Sequence, residues 1–327
     1  MGWSITQRGG TQATRLSAGQ SNPTEHAPTP LLALALCACC ALLPCRCVPL
    51  SEGETEMKTH QRAFTLVELL VVLGILSLLA ALLFPVLAEA RENARAKRCL
   101  TQIRQLAQST LMYLSDWDDA YPLAAYISQH NRQPCLFTLY HELVPYIKNK
   151  EIVICPSDPD PMDVQAVFAQ VMTLCPAMGF RQSSYMANWC LFEAGSLPPN
   201  AFHPPVQSAQ VELTAETVMY YDAVMAGLPS LTPYIQGRHT ERVNVAFTDG
   251  HAKSWKTRQG DGCFTRGDGR LANQYCLLEV SAYYQGGPHC ESSLFGLASR
   301  DGQGRLCWRC PNRPRGSAWH IAGNCGD

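Results

Sequence analysis

The sequence lacks an excess of charge of either sign. Its 26 Lys and Arg residues nearly balance its 27 Asp and Glu residues, which leaves a formal net charge of -1 at pH 7. Proteins that bind nucleic acid usually carry a basic patch, and no basic stripe with interleaved aromatic residues stands out along this chain. Nucleic acid is therefore not an expected partner.

Motifs typical of catalysis are missing as well. The chain has no Gly-rich phosphate loop, no Gly-x-Ser-x-Gly elbow and no His-Glu-x-x-His pair, and no internal repeat is apparent. No residue can be nominated for catalysis on this basis. We therefore expect a protein that is not an enzyme and that needs no cofactor.

Cysteine, in contrast, is abundant, with 16 in 327 residues. Such a count fits an oxidising compartment better than the cytosol. The candidates for structural disulfides are Cys135, Cys155, Cys175, Cys190, Cys263, Cys276, Cys290, Cys307, Cys310 and Cys325. Cys155 has three possible partners, and these are Cys135, Cys175 and Cys190. Cys99 has no obvious mate, and the Cys-x-x-Cys spacing at Cys307 is read as structural rather than as a redox or zinc motif.

The first 56 residues do not resemble a standard signal peptide, because their apolar patch starts late and is broken by Pro44. Two interpretations stay open for residues 1–56. Either Met57 is the true start and the preceding segment is an over-extended gene model, which we favour, or the segment is a genuine extra leader.

Residues 64–88 are almost continuously apolar and are long enough to cross a hydrocarbon core of about 30 Å as a helix. Residues 89–115 then become amphipathic, with apolar side chains at three- and four-residue spacing. We therefore predict one long helix whose first half spans a membrane. The turn and breaker residues that follow predict an end near Ser115.

Beyond the helix, the pattern predicts an α+β head over residues 116–256 with antiparallel strands. A helix is predicted at 136–147, a strand from 151 into the following Pro-rich turn, a strand at 216–224 and a hairpin at 242–255. Asp249-Gly250 is a two-residue turn signal for that hairpin. Residues 257–327 form a tail rich in Cys and Gly, in which the strand pattern fades.

The start of the apolar run reads "FTLVELLVV", with small Ala63 before Phe64, Glu68 at the fifth place and Pro85 further on. This resembles the cleavage site of type IV pilins and type II secretion pseudopilins. The resemblance implies that residues 57–63 are a leader, that a prepilin peptidase cuts between Ala63 and Phe64, and that the same enzyme methylates the new amine of Phe64. The family usually has Gly where this chain has Ala63, so slower cleavage is expected.

Glu68 is unusual because a charged side chain inside a membrane span is costly and is a functional candidate by default. The resemblance implies that Glu68 pairs with the N-terminal amine of a neighbouring subunit and so sets the register of assembly, with Pro85 as part of the same helix pattern. The alternative is that Glu68 lies close enough to the interface to stay hydrated.

A second resemblance covers the exported part. The order of "ICPSDP", "SSYMANW" and "RHTERVNVAFTDGHAKSW" resembles a prepilin-like group common in planctomycetes, whose hallmark is matched by His239, Asp249 and Gly250. In this arrangement His239 is expected to open the strand before the turn. No activity follows from the resemblance. His239, Asp249 and His251 are weak metal candidates, and the favoured interpretation is a histidine with ordinary partners and no metal.

We therefore expect a pilin-like or pseudopilin-like structural subunit of a type IV pilus or a type II secretion-like filament. Its expected partners are the prepilin peptidase/methyltransferase, other pilin subunits and inner-membrane lipid. It would cross the inner membrane once, with its N-terminus cytoplasmic and its head in the periplasm. Two alternatives stay open: a membrane-anchored module that binds a carbohydrate or another surface ligand without polymerising, and, less favoured, a metal-dependent enzyme around His239.

Overall fold

The computed structural model divides the chain into two compact units, Met1–Phe64 and Thr65–Asp327. All residues described below belong to the second unit. They are residues 65–176, 179–192, 204–227, 233–278, 294, 296–310 and 325. The N-terminal segment, the leader, Ala63, Phe64 and Cys290 lie outside the described residues.

Helix α1, Leu66–Asp116, contains 51 residues and is about 77 Å long at about 1.5 Å per residue. It runs through Pro85 without ending, and it ends one residue after the predicted Ser115. The side chains of its first half are exposed, and no residue of its most apolar window is buried in the protein. Within the described part of the chain, α1 is the helix long and apolar enough to cross a membrane.

The second half of α1 packs on the head, as its amphipathic pattern predicts. The first buried residue is Cys99, and the buried face then follows the helical period. Its members are Cys99, Gln102, Ile103, Leu106, Ala107, Ser109, Thr110, Tyr113 and Leu114. These side chains belong to the main hydrophobic core together with the buried strands of the sheet.

The strands are β1 Ala125–His130, β2 Gln133–Thr138, β3 Met162–Asp163, β4 Gln182–Ser183, β5 Tyr185–Ala187, β6 Val218–Met225, β7 Pro233–Ile235, β8 Arg242–Phe247, β9 Ala252–Thr265, β10 Leu271–Leu277, β11 Leu297–Arg300 and β12 Leu306–Arg309. The main sheet has six antiparallel strands in the order β10-β9-β8-β6-β5, and β7 also pairs with β6. Smaller antiparallel pairs join β1 to β2, β3 to β4 and β11 to β12. The predicted α+β class, a long helix packed on antiparallel sheet, is confirmed.

Strand β6 is buried along its whole length, and the strand predicted at 216–224 matches it. The sheet faces α1 directly at this strand, where the hydroxyl oxygens of Thr110 and Tyr220 lie 2.7 Å apart. The predicted hairpin at 242–255 is also present as β8 and β9.

The turn of that hairpin differs from the predicted two-residue turn. The Phe247 N–H donates to the carbonyl of His251 and the Gly250 N–H donates to the carbonyl of Phe247, both at 2.9 Å, so that three residues form the loop. A two-residue type I′ turn needs positive φ at both central residues, whereas of Asp249 and Gly250 only Gly250 has it, at 87°. A left-handed glycine at the end of a three-residue loop is typical of a bulged hairpin.

Two short predictions in the head are wrong. The segment 136–147 begins as β2, which pairs with β1, and only Leu139–Leu143 forms the helix α2. The segment predicted as a strand from 151 instead contains the 3₁₀ helix Lys150–Val153, which packs on α1. Two further short elements are the helix α3, Val164–Phe168, and the 3₁₀ helix Ser208–Gln210.

The expectation that strand structure fades after residue 257 is also wrong. Strand β9 continues to Thr265 and pairs with β10, and β11 pairs with β12 further on. The exposed half of β9 carries Arg, Gln, Asp and Gly, residues that weaken a strand signal in sequence. Backbone hydrogen bonds to β10 hold this part of β9 as a strand.

Disulfides join Cys99 to Cys155, Cys135 to Cys175, Cys190 to Cys310 and Cys307 to Cys325. Cys276 is also disulfide-bonded. The three partners predicted for Cys155 are therefore wrong, because its mate is Cys99. Helix α1 places Cys99 against the segment that follows the 3₁₀ helix Lys150–Val153. Cys263 was a disulfide candidate but is an exposed free thiol.

Candidate functional site

The first part of the candidate site is the start of α1, where Thr65 and Glu68 form a capping box. The Glu68 carboxylate oxygen Oε2 accepts hydrogen bonds from the backbone N–H and the hydroxyl of Thr65, each at 2.9 Å. In return, the Glu68 N–H donates to the Thr65 hydroxyl oxygen at 3.2 Å. Glu68 therefore satisfies backbone groups that a helix start leaves without partners.

The position of Glu68 also suits an anionic side chain. It lies in the first turn of α1, where the aligned peptide dipoles leave partial positive charge. The Glu68 side chain is exposed in the isolated chain. A positively charged group of another molecule can reach it there.

The second part of the candidate site is a buried polar cluster in the head, which we call the His239 cluster. It comprises Glu92, Cys99, Cys155, Asp158, Asp222, Arg238 and His239. These residues come from α1, from the segment after the 3₁₀ helix Lys150–Val153, from β6 and from the turn before β8. The sequence interpretation placed His239 at the opening of β8, but it lies three residues earlier, in a turn whose next two residues have positive φ.

The side chain of His239 is 1% exposed and uses both of its ring nitrogens. Its Nδ1 lies 3.1 Å from Oε1 of Glu92, which also accepts a hydrogen bond from the Ser157 hydroxyl at 2.7 Å. Its Nε2 lies 3.4 Å from Sγ of Cys155 and 3.7 Å from Oδ2 of Asp222. The histidine thus connects the helix α1 to the disulfide and to the centre of the sheet.

Arg238 holds the other side of the cluster. Its guanidinium donates to the carbonyl oxygens of Ser184 and Ala223 at 2.6 and 2.9 Å. It also pairs with Asp158 at 3.3 Å and with Asp222 at 3.5 Å. These charged side chains are nearly completely buried, so their pairing and the two carbonyl acceptors offset the cost of losing water, and the contacts fix the geometry of the turn before His239.

Burial raises the pKa of the Asp222 carboxyl above its ordinary value. Three groups act in the opposite direction: the charges of Arg238 and His239, and the Asn244 N–H, which donates to Oδ2 of Asp222 at 2.7 Å. The nearby Asp158 raises the pKa further. Desolvation is the largest effect, so the direction of the shift is upward.

The predicted metal candidates do not converge. His239 precedes β8, whereas Asp249 and His251 follow it, and a six-residue strand spans about 20 Å. Asp249 and His251 contact each other at 2.6 Å on the surface. The grouping of these two residues with His239 is therefore wrong, because the strand that joins them keeps them apart.

A different set of metal-ligating atoms does converge. The sulfurs of Cys99 and Cys155 and a ring nitrogen of His239 all lie within 4.8 Å of one another, and all three residues are buried. Sequence reasoning missed this set, since it left Cys99 without a mate. The amphipathic pattern of α1 could have revealed this set, because a cysteine on the apolar face of that half of the helix must pack against the head.

A cavity of about 280 Å³ adjoins the cluster between α1 and the strands β8 and β9. Its walls include His239 and Glu92 together with charged and amide side chains. Those are Asn93, Lys97, Arg242 and Asn244.

A family model described as the prokaryotic N-terminal methylation motif matches residues 58–84. No curated protein and no solved structure matches the chain. The motif supports a prepilin-type cleavage and methylation protein, and it indicates a precursor of the pilin or pseudopilin type. Together with the apolar first half of α1, it is consistent with a single-pass inner-membrane anchor.

Proposed function

We propose that this protein is a pilin-like or pseudopilin-like structural subunit that assembles through α1 into a type IV pilus or a type II secretion-like filament. The observation that carries the proposal is the match of residues 58–84 to the N-terminal methylation motif, which overlaps the exposed apolar half of α1. In this proposal a prepilin peptidase cuts between Ala63 and Phe64 and methylates the amine of Phe64.

The exposure of α1 supports assembly. Its first half presents large apolar side chains on all faces, from Leu66, 73% exposed, to Leu87, 41% exposed. A helix that is apolar all round is stable only when lipid or other helices cover it. Inner-membrane lipid covers it before assembly in this proposal, and the helices of neighbouring subunits cover it afterwards.

Glu68 has two partners in this mechanism. Within its own chain it caps α1 through Thr65, and in the filament its carboxylate pairs with the methylated amine of Phe64 from a neighbour. Phe64 precedes Glu68 by four residues, so the pairing would set an axial offset of about 6 Å between adjacent helices. This is the role that the pilin resemblance assigns to Glu68.

The head is proposed to lie in the periplasm, with the uncut N-terminus in the cytoplasm. The disulfides among the described residues support an oxidising compartment for the head. The domain division that follows is a leader at 57–63, a membrane half of the helix at 64–88, an amphipathic half at 89–115, a head at 116–256 and a tail at 257–327.

The first test maps the mature N-terminus by mass spectrometry after co-expression with a prepilin peptidase. We expect a chain that begins with N-methylated Phe64, and we expect Ala63→Gly to be cut faster because it restores the smaller residue. An intact Ala63-Phe64 bond in both chains, with the peptidase active on a known substrate, would contradict the proposal.

A second test separates the two roles of Glu68. Gln is also found at this place of a capping box, so Glu68→Gln keeps the cap and removes the charge, whereas Glu68→Ala removes both. We expect both variants to be cleaved and neither to enter filaments. If Glu68→Gln assembles like the wild type while Glu68→Ala does not, the cap matters and the proposed ion pair is wrong.

The cavity beside the His239 cluster favours one second candidate, a membrane-anchored module that binds a surface ligand and does not polymerise. Such a protein would be absent from isolated filaments or secretion complexes. It would also function with Glu68→Ala. Fractionation of filaments from cells that carry the wild type and this variant distinguishes the two functions.

A further inference from the structure

The His239 cluster brings two sulfurs and an imidazole nitrogen within 4.8 Å of one another at a buried point of the head. We propose that the reduced form of this protein binds one zinc ion through Cys99, Cys155 and His239, with the fourth position left to water, and that the Cys99–Cys155 disulfide and the ion exclude each other. The head would then exist in two covalent states, one closed by a disulfide and one closed by a metal.

The spacing of the ligand atoms fits a tetrahedral zinc site. Bonds of about 2.3 Å to sulfur and about 2.0–2.2 Å to nitrogen or oxygen place neighbouring ligand atoms roughly 3.3–3.8 Å apart. The structure has 3.4 Å between Sγ of Cys155 and Nε2 of His239, and the three ligand atoms all lie within 4.8 Å of one another. Once the disulfide opens, rotation of the two cysteine side chains is sufficient to separate the sulfurs to this spacing.

The ligands are also held in the orientation that a metal requires. Because Nδ1 of His239 faces the Glu92 carboxylate at 3.1 Å, its proton is directed there, and the lone pair of Nε2 points at the sulfurs. A carboxylate behind a histidine ligand is the usual arrangement at zinc sites.

The charge of the cluster favours a cation. It contains the carboxylates of Glu92, Asp158 and Asp222, but Arg238 is its one guanidinium. Reduction of the disulfide would add thiolates in a place where Cys99 and Cys155 are 0% exposed. A buried anion without a partner is costly, and a divalent cation bound between the two sulfurs removes that cost.

The cavity provides a route to the cluster. His239 and Glu92 line it, and Lys97 and Asn93 lie at its wall on α1. We expect an ion to enter from this cavity, because His239 forms part of its wall.

The chemistry balances with an external dithiol as the reductant. The dithiol gives two electrons and two protons to the Cys99–Cys155 bond and becomes a disulfide, and each protein sulfur becomes a thiol. Zinc then displaces the two protons and binds the two thiolates. In reverse, a disulfide oxidant accepts two electrons, the sulfur-sulfur bond forms again and the ion leaves.

The test uses the full chain in detergent micelles, reduced with a phosphine and titrated with Co²⁺, which replaces zinc and reports thiolate ligation by its charge-transfer absorption. We expect Cys99→Ala, Cys155→Ala and His239→Gln each to lose one cobalt equivalent relative to the wild type. The matched controls, Cys263→Ser and the pair Cys135→Ala with Cys175→Ala, should retain that equivalent.

Glu92→Gln tests the site without removing a ligand or a core side chain, since the Glu92 side chain is 27% exposed. We expect its zinc affinity to fall about 10–100-fold, the usual effect of losing a carboxylate behind a histidine ligand. Circular dichroism of each reduced variant verifies its fold. The proposal is overturned if the reduced wild type and folded His239→Gln bind the same number of ions with the same spectrum, or if zinc binds equally well to the oxidised chain.

Discussion

The contact between Thr110 and Tyr220 is where the helix and the centre of the sheet meet, and its removal has a predictable cost. Both residues are 0% exposed, and their hydroxyl oxygens lie 2.7 Å apart. The Thr110 hydroxyl also donates to the Leu106 carbonyl at 3.3 Å, so the proton of the 2.7 Å bond comes from Tyr220. Burial raises the pKa of Tyr220 well above its ordinary value, which keeps that proton in place.

The two single substitutions therefore differ. Tyr220→Phe removes one hydrogen bond but leaves the Thr110 hydroxyl bonded to Leu106, and it should cost about 0.5–1.5 kcal/mol of the free energy of unfolding. Thr110→Val keeps the shape of the side chain but leaves the buried Tyr220 hydroxyl without this acceptor, which should cost about 1–3 kcal/mol. The double variant removes both groups and should cost no more than Thr110→Val alone.

The assay is denaturant unfolding of the full oxidised chain in detergent, followed by near-ultraviolet circular dichroism of the head. Tyr146→Phe is the matched control, because Tyr146 bonds to Asp116 at the surface and its loss should change stability by less than about 0.5 kcal/mol. The reasoning is refuted if the cost of the double variant equals the sum of the two single costs, since that would mean that the hydroxyls do not interact.

Three further predictions concern other parts of the head. Removal of the Cys135–Cys175 disulfide, which links residues 40 apart, should cost about 4 kcal/mol by loss of chain constraint, whereas Cys263→Ser should cost less than about 0.5 kcal/mol in the same denaturant assay. Gly250→Ala should lower the free energy of unfolding by about 1–2 kcal/mol because an alanine is strained at a φ of 87°, and an unchanged thermal midpoint would contradict this. Burial lowers the pKa of His141 in the folded chain. The stability that neutral His141 confers is therefore complete above about pH 6.5 and is lost as pH falls through the folded-state pKa. Denaturant unfolding at several pH values should show that the wild type loses more stability on acidification than His141→Gln.

Local patterns predicted the elements that depend on local sequence. The apolar run and the spacing of Ile103, Leu106 and Leu114 indicate α1 correctly, and the alternation around Val243 and Val245 indicates the β8–β9 hairpin. The segments predicted wrongly depend on distant partners. Strand β2 exists because it pairs with β1, and β10 exists because β9 extends beyond its apolar part.

The same division applies to the candidate site. The capping box at Thr65 and Glu68 follows the signature of Thr or Ser with Glu three residues later, so the sequence already contained it, although it was not recognised. His239 was singled out by resemblance, but its partner Glu92 is 147 residues away in the chain. Nothing local indicates such a pair, because the packing of α1 on the sheet creates it.

The Cys99–Cys155 disulfide has a mechanical consequence. Cys99 is the first buried residue of α1, and the bond ties the helix to the head about two turns beyond the contact between Glu92 and His239. If α1 carries tension in a fibre, that tension reaches the disulfide before it reaches the buried side chains that follow Cys99 in the helix. The two cysteines are separated by 56 positions, and their bond closes the intervening chain into a loop that tension cannot open. The covalent attachment of the head to its own helix therefore depends on the oxidation state of a single bond.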